Sequence, residues 1–318
     1  MATTTVVRSS APRMSAVERF AWAVTAYNVL VILWGALVRA TGSGAGCGNH
    51  WPLCNGEVLP HHPRLATVIE FTHRSLTGVC STVVFALIAW TFLAKPRGDR
   101  ARTAVTWSGI LLFTEAILGA VLVKGGYVEH NTSNMRVLMQ CVHFTNTMFL
   151  LSAITLSWWW MKDRRLPPVP AGLGTTAWIA LIATLITGVT GSEAAIADTL
   201  FPSPSLHAAF LTDFAAAAPL IIRMRWVHPA TALIALVCTV WFGWRLRSAL
   251  GRWLIALMGL QIALGVLDVL LLAPTWMQVL HLLGADLAWI TLMTASSEIV
   301  FITSSHSPRV VQACANPV

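Results

Sequence analysis

Four histidines, His73, His143, His228 and His281, lie inside long apolar runs. There an ionisable side chain is costly and marks function by default. Glu70 precedes His73 by three residues in VIEFTHRSLTG, so carboxylate and imidazole share one face of a helix. Imidazoles paired across helices can hold an iron porphyrin inside a bundle through its two axial positions. Glu70-x-x-His73 also has the spacing of a carboxylate-bridged di-iron site. That chemistry wants a second Glu-x-x-His, and the matching position in the second half is Arg225. Taken singly, each histidine could be a hydrogen-bonded core residue; four at repeat-related positions favour the ligand reading. His50, His61, His62, His130, His207 and His306 fall in loops or the tail and read as solvated. Whether His207 reaches a cofactor from its loop stays open.

The elements that position these residues are membrane helices. Of 318 residues, 56% are apolar and 11% charged, and mean hydropathy is +0.69; soluble domains carry about 25% charge. A span needs about 20 mostly apolar residues. Eight are expected, near 21–40, 67–93, 104–124, 137–161, 174–191, 226–244, 252–272 and 275–296. Most of the 21 Lys and Arg fall in the N-terminal segment, in KPRGDRAR, KDRRLPP and RLRSALGR, and in the tail. The positive-inside rule then puts both termini and these loops in the cytoplasm of a cell-membrane protein. The basic pI of about 9.8 is thus a topology signal, and no nucleic-acid partner is expected. The N-terminus has no compact apolar core before a small-residue cleavage site, so no cleaved signal peptide is expected. Three larger outer connections remain: 41–66, 125–136 and 192–225. The last reads as a loop carrying an interfacial amphipathic helix at most.

The halves resemble each other. GALVRATGSG at the end of the first helix and TLITGVTGSE in the fifth share TGS at 41–43 and 190–192. TEAILGAVLV pairs with LQIALGVLDV, setting Glu115 beside Gln261 and Gly119 beside Gly265. MQCVH pairs with MQVLH, and EFTHRSLTG with RWVHPATAL. The expected fold is all-α, with eight transmembrane helices as two pseudo-symmetric four-helix bundles. Its parts are a cytoplasmic tail at 1–20, bundles at 21–165 and 166–300, and a cytoplasmic tail at 301–318. Each histidine lies about two turns into a helix that runs inward, roughly 5–10 Å below the outer surface at about 1.5 Å per residue.

The halves differ in chemistry. Glu70 could act as a base, stabilise a developing cation or relay protons; a salt bridge to Arg74 or Arg64 is the plain alternative. In the second half Arg225 suits a haem propionate. The first half therefore reads as reactive and the second as a plain cofactor site. Cys47 and Cys54 flank six residues of a Gly-rich outer loop, where an oxidising compartment favours a disulfide. It is either a structural staple or a redox pair for a thioredoxin-like partner. Cys80, Cys141, Cys238 and Cys314 read as idle thiols, and the role of Glu115 is left open.

TGSGAGCGNHWPLCNG, Glu70-Phe71-Thr72-His73-Arg74, the histidines of MQCVH and MQVLH, and WVHP together resemble the haem A synthase family over about residues 20–300. The resemblance implies oxidation of a haem O methyl group, at C8, to the formyl of haem A for terminal oxidases. The reaction is described as successive hydroxylations and loss of water, with oxygen from water. It implies that His73 and His143 hold substrate haem O, that Glu70 is the catalytic carboxylate, and that His228 and His281 ligate a resident haem b. It makes Cys47 and Cys54 the disulfide of the first outer loop. The chain departs from some members in lacking a cysteine pair in 192–225. Expected partners are haem O synthase, a thioredoxin-like thiol–disulfide protein or another electron carrier, and membrane lipid; a homo-oligomer is left open. The rival readings are a di-haem cytochrome b that only moves electrons and, last, a transporter.

Overall fold

The computed structural model describes residues 14–162 and 172–302. Its long helices are α1 (Ala16–Ala40), α2 (Leu65–Ala94), α3 (Arg100–Lys124), α4 (Asn134–Trp160) and α5 (Leu173–Leu200). A short α6 (Leu206–Asp213) leads to α7 (Leu220–Leu246), α8 (Ala249–Leu270) and α9 (Thr275–Ile302). All but α6 are long and apolar enough to cross a membrane, so this is an all-α, multi-pass membrane protein with eight spans among the described residues. In lipid a helix satisfies its own backbone except at its ends. Side chains serve the ends here. Ser15 and Glu18 form a reciprocal capping box on α1. Asp99, Ser133 and Ser248 accept from the first turns of α3, α4 and α8.

Helices α1 to α4 close a ring, each touching the next and α4 returning to α1. Helices α5, α7, α8 and α9 close a second ring in the same order. The rings meet with α1 and α4 against α5 and α9. That junction carries the largest apolar core, including Leu151, Leu173, Phe242 and Leu292. Trp289 of α9 fastens it, its indole N–H facing Ser152 Oγ at 2.9 Å and Met148 O at 3.2 Å on α4.

The connection expected at 192–225 differs from expectation. Helix α5 runs nine residues past 191, and α7 begins at Leu220, six before 226. Ala194, Ile196 and Ala197 bury one face of the extension. Its charge does not end the helix because Asp198 is paired with Arg225 at 2.8 Å. The connection is therefore 201–219 and not 192–225, with α6 inside it and none of α6 buried. The TGS match also falls out of register: 41–43 lies beyond α1, whereas Thr190-Gly191-Ser192 is inside α5. The expected division at 165/166, most of KDRRLPP, Cys314 and most of both tails lie outside the described residues.

Candidate functional site

Each histidine stands six to nine residues past the start of its helix: His73 on α2 from 65, His143 on α4 from 134, His228 on α7 from 220 and His281 on α9 from 275. Three of them rest on a glycine of the neighbouring helix. A Cβ built on Gly35 of α1 would come within 3.1 Å of the His73 ring. On Gly191 of α5 it would come within 2.8 Å of His228, and on Gly265 of α8 within 3.2 Å of His281. By these contacts Gly35 corresponds to Gly191, which moves the first repeat match by seven residues, from position 42 to 35, about two turns. His143 departs from the pattern. Gly119, aligned with Gly265, faces open space, and the carboxylate of Glu115 stands beside the ring instead.

In the second half His228 and His281 face each other with ring centroids 6.3 Å apart and planes crossing at 81°. Two imidazoles that held one metal at about 2.0 Å through nitrogens would have centroids roughly 6 Å apart, so His228 and His281 are spaced to hold one iron between them. His228 Nδ1 lies 3.2 Å from Thr187 O. A carbonyl only accepts, so this bond puts the proton on Nδ1 and leaves the Nε2 lone pair for a ligand. The Nδ1 atoms of His73, His143 and His281 are buried without a hydrogen bond. In the first half His73 and His143 lie within electrostatic reach of each other.

No group of three or more His, Cys, Asp or Glu able to hold a metal forms among the described residues. This removes the di-iron alternative there. Two-imidazole pairs suit a metal that brings its other four ligands with it, as a porphyrin iron does.

Glu70 is buried and engaged on both oxygens. Oε2 accepts from the Cys47 backbone N–H at 2.6 Å, and Oε1 from Arg74 at 2.5 Å and 3.1 Å. Arg74 also donates to His50 O at 2.6 Å and Leu53 O at 2.7 Å. Both residues lie in the loop that a Cys47–Cys54 disulfide closes. Thr67 Oγ1 donates to Gly46 O at 2.7 Å, and Gly46 packs so tightly on the Ala66–Thr67 backbone that no side chain fits there. The plain alternative for Glu70, an ion pair with Arg74, is thus formed. It ties the disulfide loop between α1 and α2 to the helix that carries His73. Farther out, the His61 backbone N–H and ring hold the Glu57 carboxyl below the usual carboxylate range.

Arg225 meets protein partners: Asp198 at 2.8 Å, Asp213 at 3.1 Å, Ala197 O at 2.9 Å and Phe201 O. It staples α6 and α7 to α5, where a haem propionate had been the expected partner. His207 is exposed on α6. Asp198, Asp213 and Arg39 were not anticipated, because each is legible only through a partner far away in the chain. Glu115 did leave a signal, its alignment with Gln261. Gln261 Nε2 donates to His281 O at 2.9 Å, so both residues serve the histidine of the last helix in their ring.

Fold and site define a membrane helical protein that carries, in each of two helix rings, two histidines within the first three turns of their helices. Residues 18–293 match the family model described as cytochrome oxidase assembly protein (COX15-CtaA), and the chain belongs to that family. A Thermus thermophilus protein named Protoheme IX farnesyltransferase is 40% identical over 290 residues, 88% of this chain and 48% of that protein. Proteins named Heme A synthase are similar over shorter stretches. The one from Exiguobacterium sibiricum is 33% identical over 174 residues, 53% of this chain and 56% of its own length. The one from Alkalihalophilus pseudofirmus is 34% identical over 134 residues, 42% of each. The chain spans about half the length of the curated relatives it matches.

Proposed function

We propose that this protein is a haem A synthase of the cell membrane, with both termini cytoplasmic, oxidising the C8 methyl of haem O to a formyl group with oxygen from water. His73 and His143 hold the substrate, and His228 and His281 hold a resident haem b. The observation that carries the reading is the recurrence of a histidine pair in both rings, with the second pair spaced for one iron. The resident haem supplies one-electron redox chemistry when bound. The protein's own part is to fix the imidazoles between helices and to keep a carboxylate beside the substrate ligand. Glu70 is three residues from His73 and held by the Cys47 N–H and by Arg74, so it is a positioned carboxylate, ion-paired to Arg74, on the face of α2 that carries the substrate ligand.

Farnesyl transfer, named for the Thermus relatives, is a poorer reading for this chain. A diphosphate leaving group calls for a divalent cation held by carboxylates, and among the described residues no group of three or more His, Cys, Asp or Glu is placed to hold one. A protein that farnesylates protohaem would instead be the source of the prenylated substrate, which makes it the natural partner. A thiol–disulfide protein or another carrier would accept electrons.

The test is extraction and chromatography of haem from the full chain produced with a haem O source. Haem A is expected in the wild type. His73→Ala should lose haem O and haem A while keeping haem b, and His228→Ala should lose haem b. Haem b and haem O bound with no haem A in any preparation would leave only an electron-transfer cytochrome.

A further inference from the structure

We propose that Glu115 is a positioning residue of the substrate site, acting through His143 to favour the more oxidised states of the bound iron. The inference rests on the reading that His73 and His143 hold a haem. Glu115 Oε1 stands 3.5 Å from His143 Nδ1, which sets the carboxylate beside that ring nitrogen. The carboxylate is built into place. Asn146 Nδ2 donates to Oε2 at 2.6 Å, and the Thr147 hydroxyl lies against Oε1. Asn146 is itself fixed, its Oδ1 accepting from Thr114 and its Nδ2 donating to Leu111 O at 2.9 Å. His143, Asn146 and Thr147 lie three and four residues apart, one turn of α4 turned toward α3.

The two rings part at this point. Gln261 takes the corresponding place in the second ring, but it is neutral and meets the backbone carbonyl of His281, not its imidazole. Only the first ring sets a carboxylate against the ring of its last-helix histidine. A carboxylate behind a ligating imidazole fixes its orientation and raises its basicity, and losing such a partner costs roughly 10–100-fold in affinity or activity. Added negative charge on a ligand stabilises ferric over ferrous iron and lowers the reduction potential. A lower potential makes the first-ring iron easier to re-oxidise, so electrons taken from the methyl group pass on to the acceptor; a haem that is not the reacting group has no such need.

Potentiometric titration of the full chain, purified with protohaem and haem O bound, reads this without turnover. His73→Ala and His228→Ala assign the two transitions. Glu115→Gln should keep both haems, shift the first-ring transition to higher potential and leave the second unmoved. Both haems retained with neither transition moved would overturn the proposal. If Glu115→Gln sheds the first-ring haem, Glu115→Asp decides: retention supports the proposal, and equal loss makes Glu115 mere packing and overturns it. A wild type in which His73→Ala removes no transition would refute the haem site itself, and this inference with it. Haem bound in both rings without any haem A formed would sink the synthase reading alone.

Discussion

At the residue scale the central fact is that Glu70 has two obligations. It lies three residues from His73, and it anchors the disulfide loop through the Cys47 N–H and Arg74. A buried ion pair that loses one partner costs about 3–5 kcal/mol, because the other charge stays buried unpaired. Arg74→Ala should therefore destabilise the protein by about that amount and loosen residues 50–53, whose carbonyls it holds. Glu70→Gln keeps an acceptor for Cys47 and removes only the charge. It should stop formyl formation while haem content and the disulfide persist. Extracted-haem chromatography beside a thermal melt separates the two variants. Wild-type haem A from Glu70→Gln would leave Glu70 as the loop's anchor only. The Glu70–His73 spacing was legible in the sequence because both lie on one turn. The grip of the loop on Glu70 was not, since Cys47 is 23 positions away and donates through its backbone.

At the element scale, helix approach is what admits the imidazoles. His73, His228 and His281 each face a glycine on the adjoining helix, where any side chain would reach the ring. The clearance is smallest at Gly191, and there the ring is also held by its bond to Thr187 O, so it cannot swing aside freely. Gly191→Ala should therefore displace His228 and strip the second-ring haem. Gly35→Ala, with 3.1 Å to a ring that has no such bond, should weaken the first site less. Overpacking of this kind costs about 1–3 kcal/mol. Haem-to-protein ratios of the two variants check the ranking, and equal losses would count against it. The spans of α1 to α4 were legible from hydropathy to within a few residues. The ends of α5 and α7 were not, because Glu193, Asp198 and Arg225 look like loop residues until Asp198 and Arg225 are seen to neutralise each other. The shared TGS misled for a related reason: a three-residue identity carries less register information than the contact between a histidine and the glycine it packs on.

At the scale of the whole molecule the question is what keeps two rings, and so two sites, in fixed relation. Besides the apolar junction, Arg39 in the last turn of α1 crosses into the second ring. It donates to Ala195 O at 2.6 Å and Thr199 Oγ1 at 3.2 Å on α5, and to Gln278 Oε1 at 2.9 Å on α9. Glu193, Asp198 and Asp268 lie within its electrostatic reach. One guanidinium thus ties three helices from both rings, at the end where the histidines stand. Loss of a charged side chain's hydrogen bonds costs about 1.5–3 kcal/mol each, so Arg39→Gln should lower the melting temperature clearly without touching either histidine pair. A histidine variant removes one haem and spares the other. Arg39→Gln should instead lower the occupancy of both sites together, because it loosens the seam that α1, α5 and α9 share. Parallel haem analysis of Arg39→Gln, His73→Ala and His228→Ala reads that difference. Loss confined to one haem in Arg39→Gln would mean that the rings hold their sites independently.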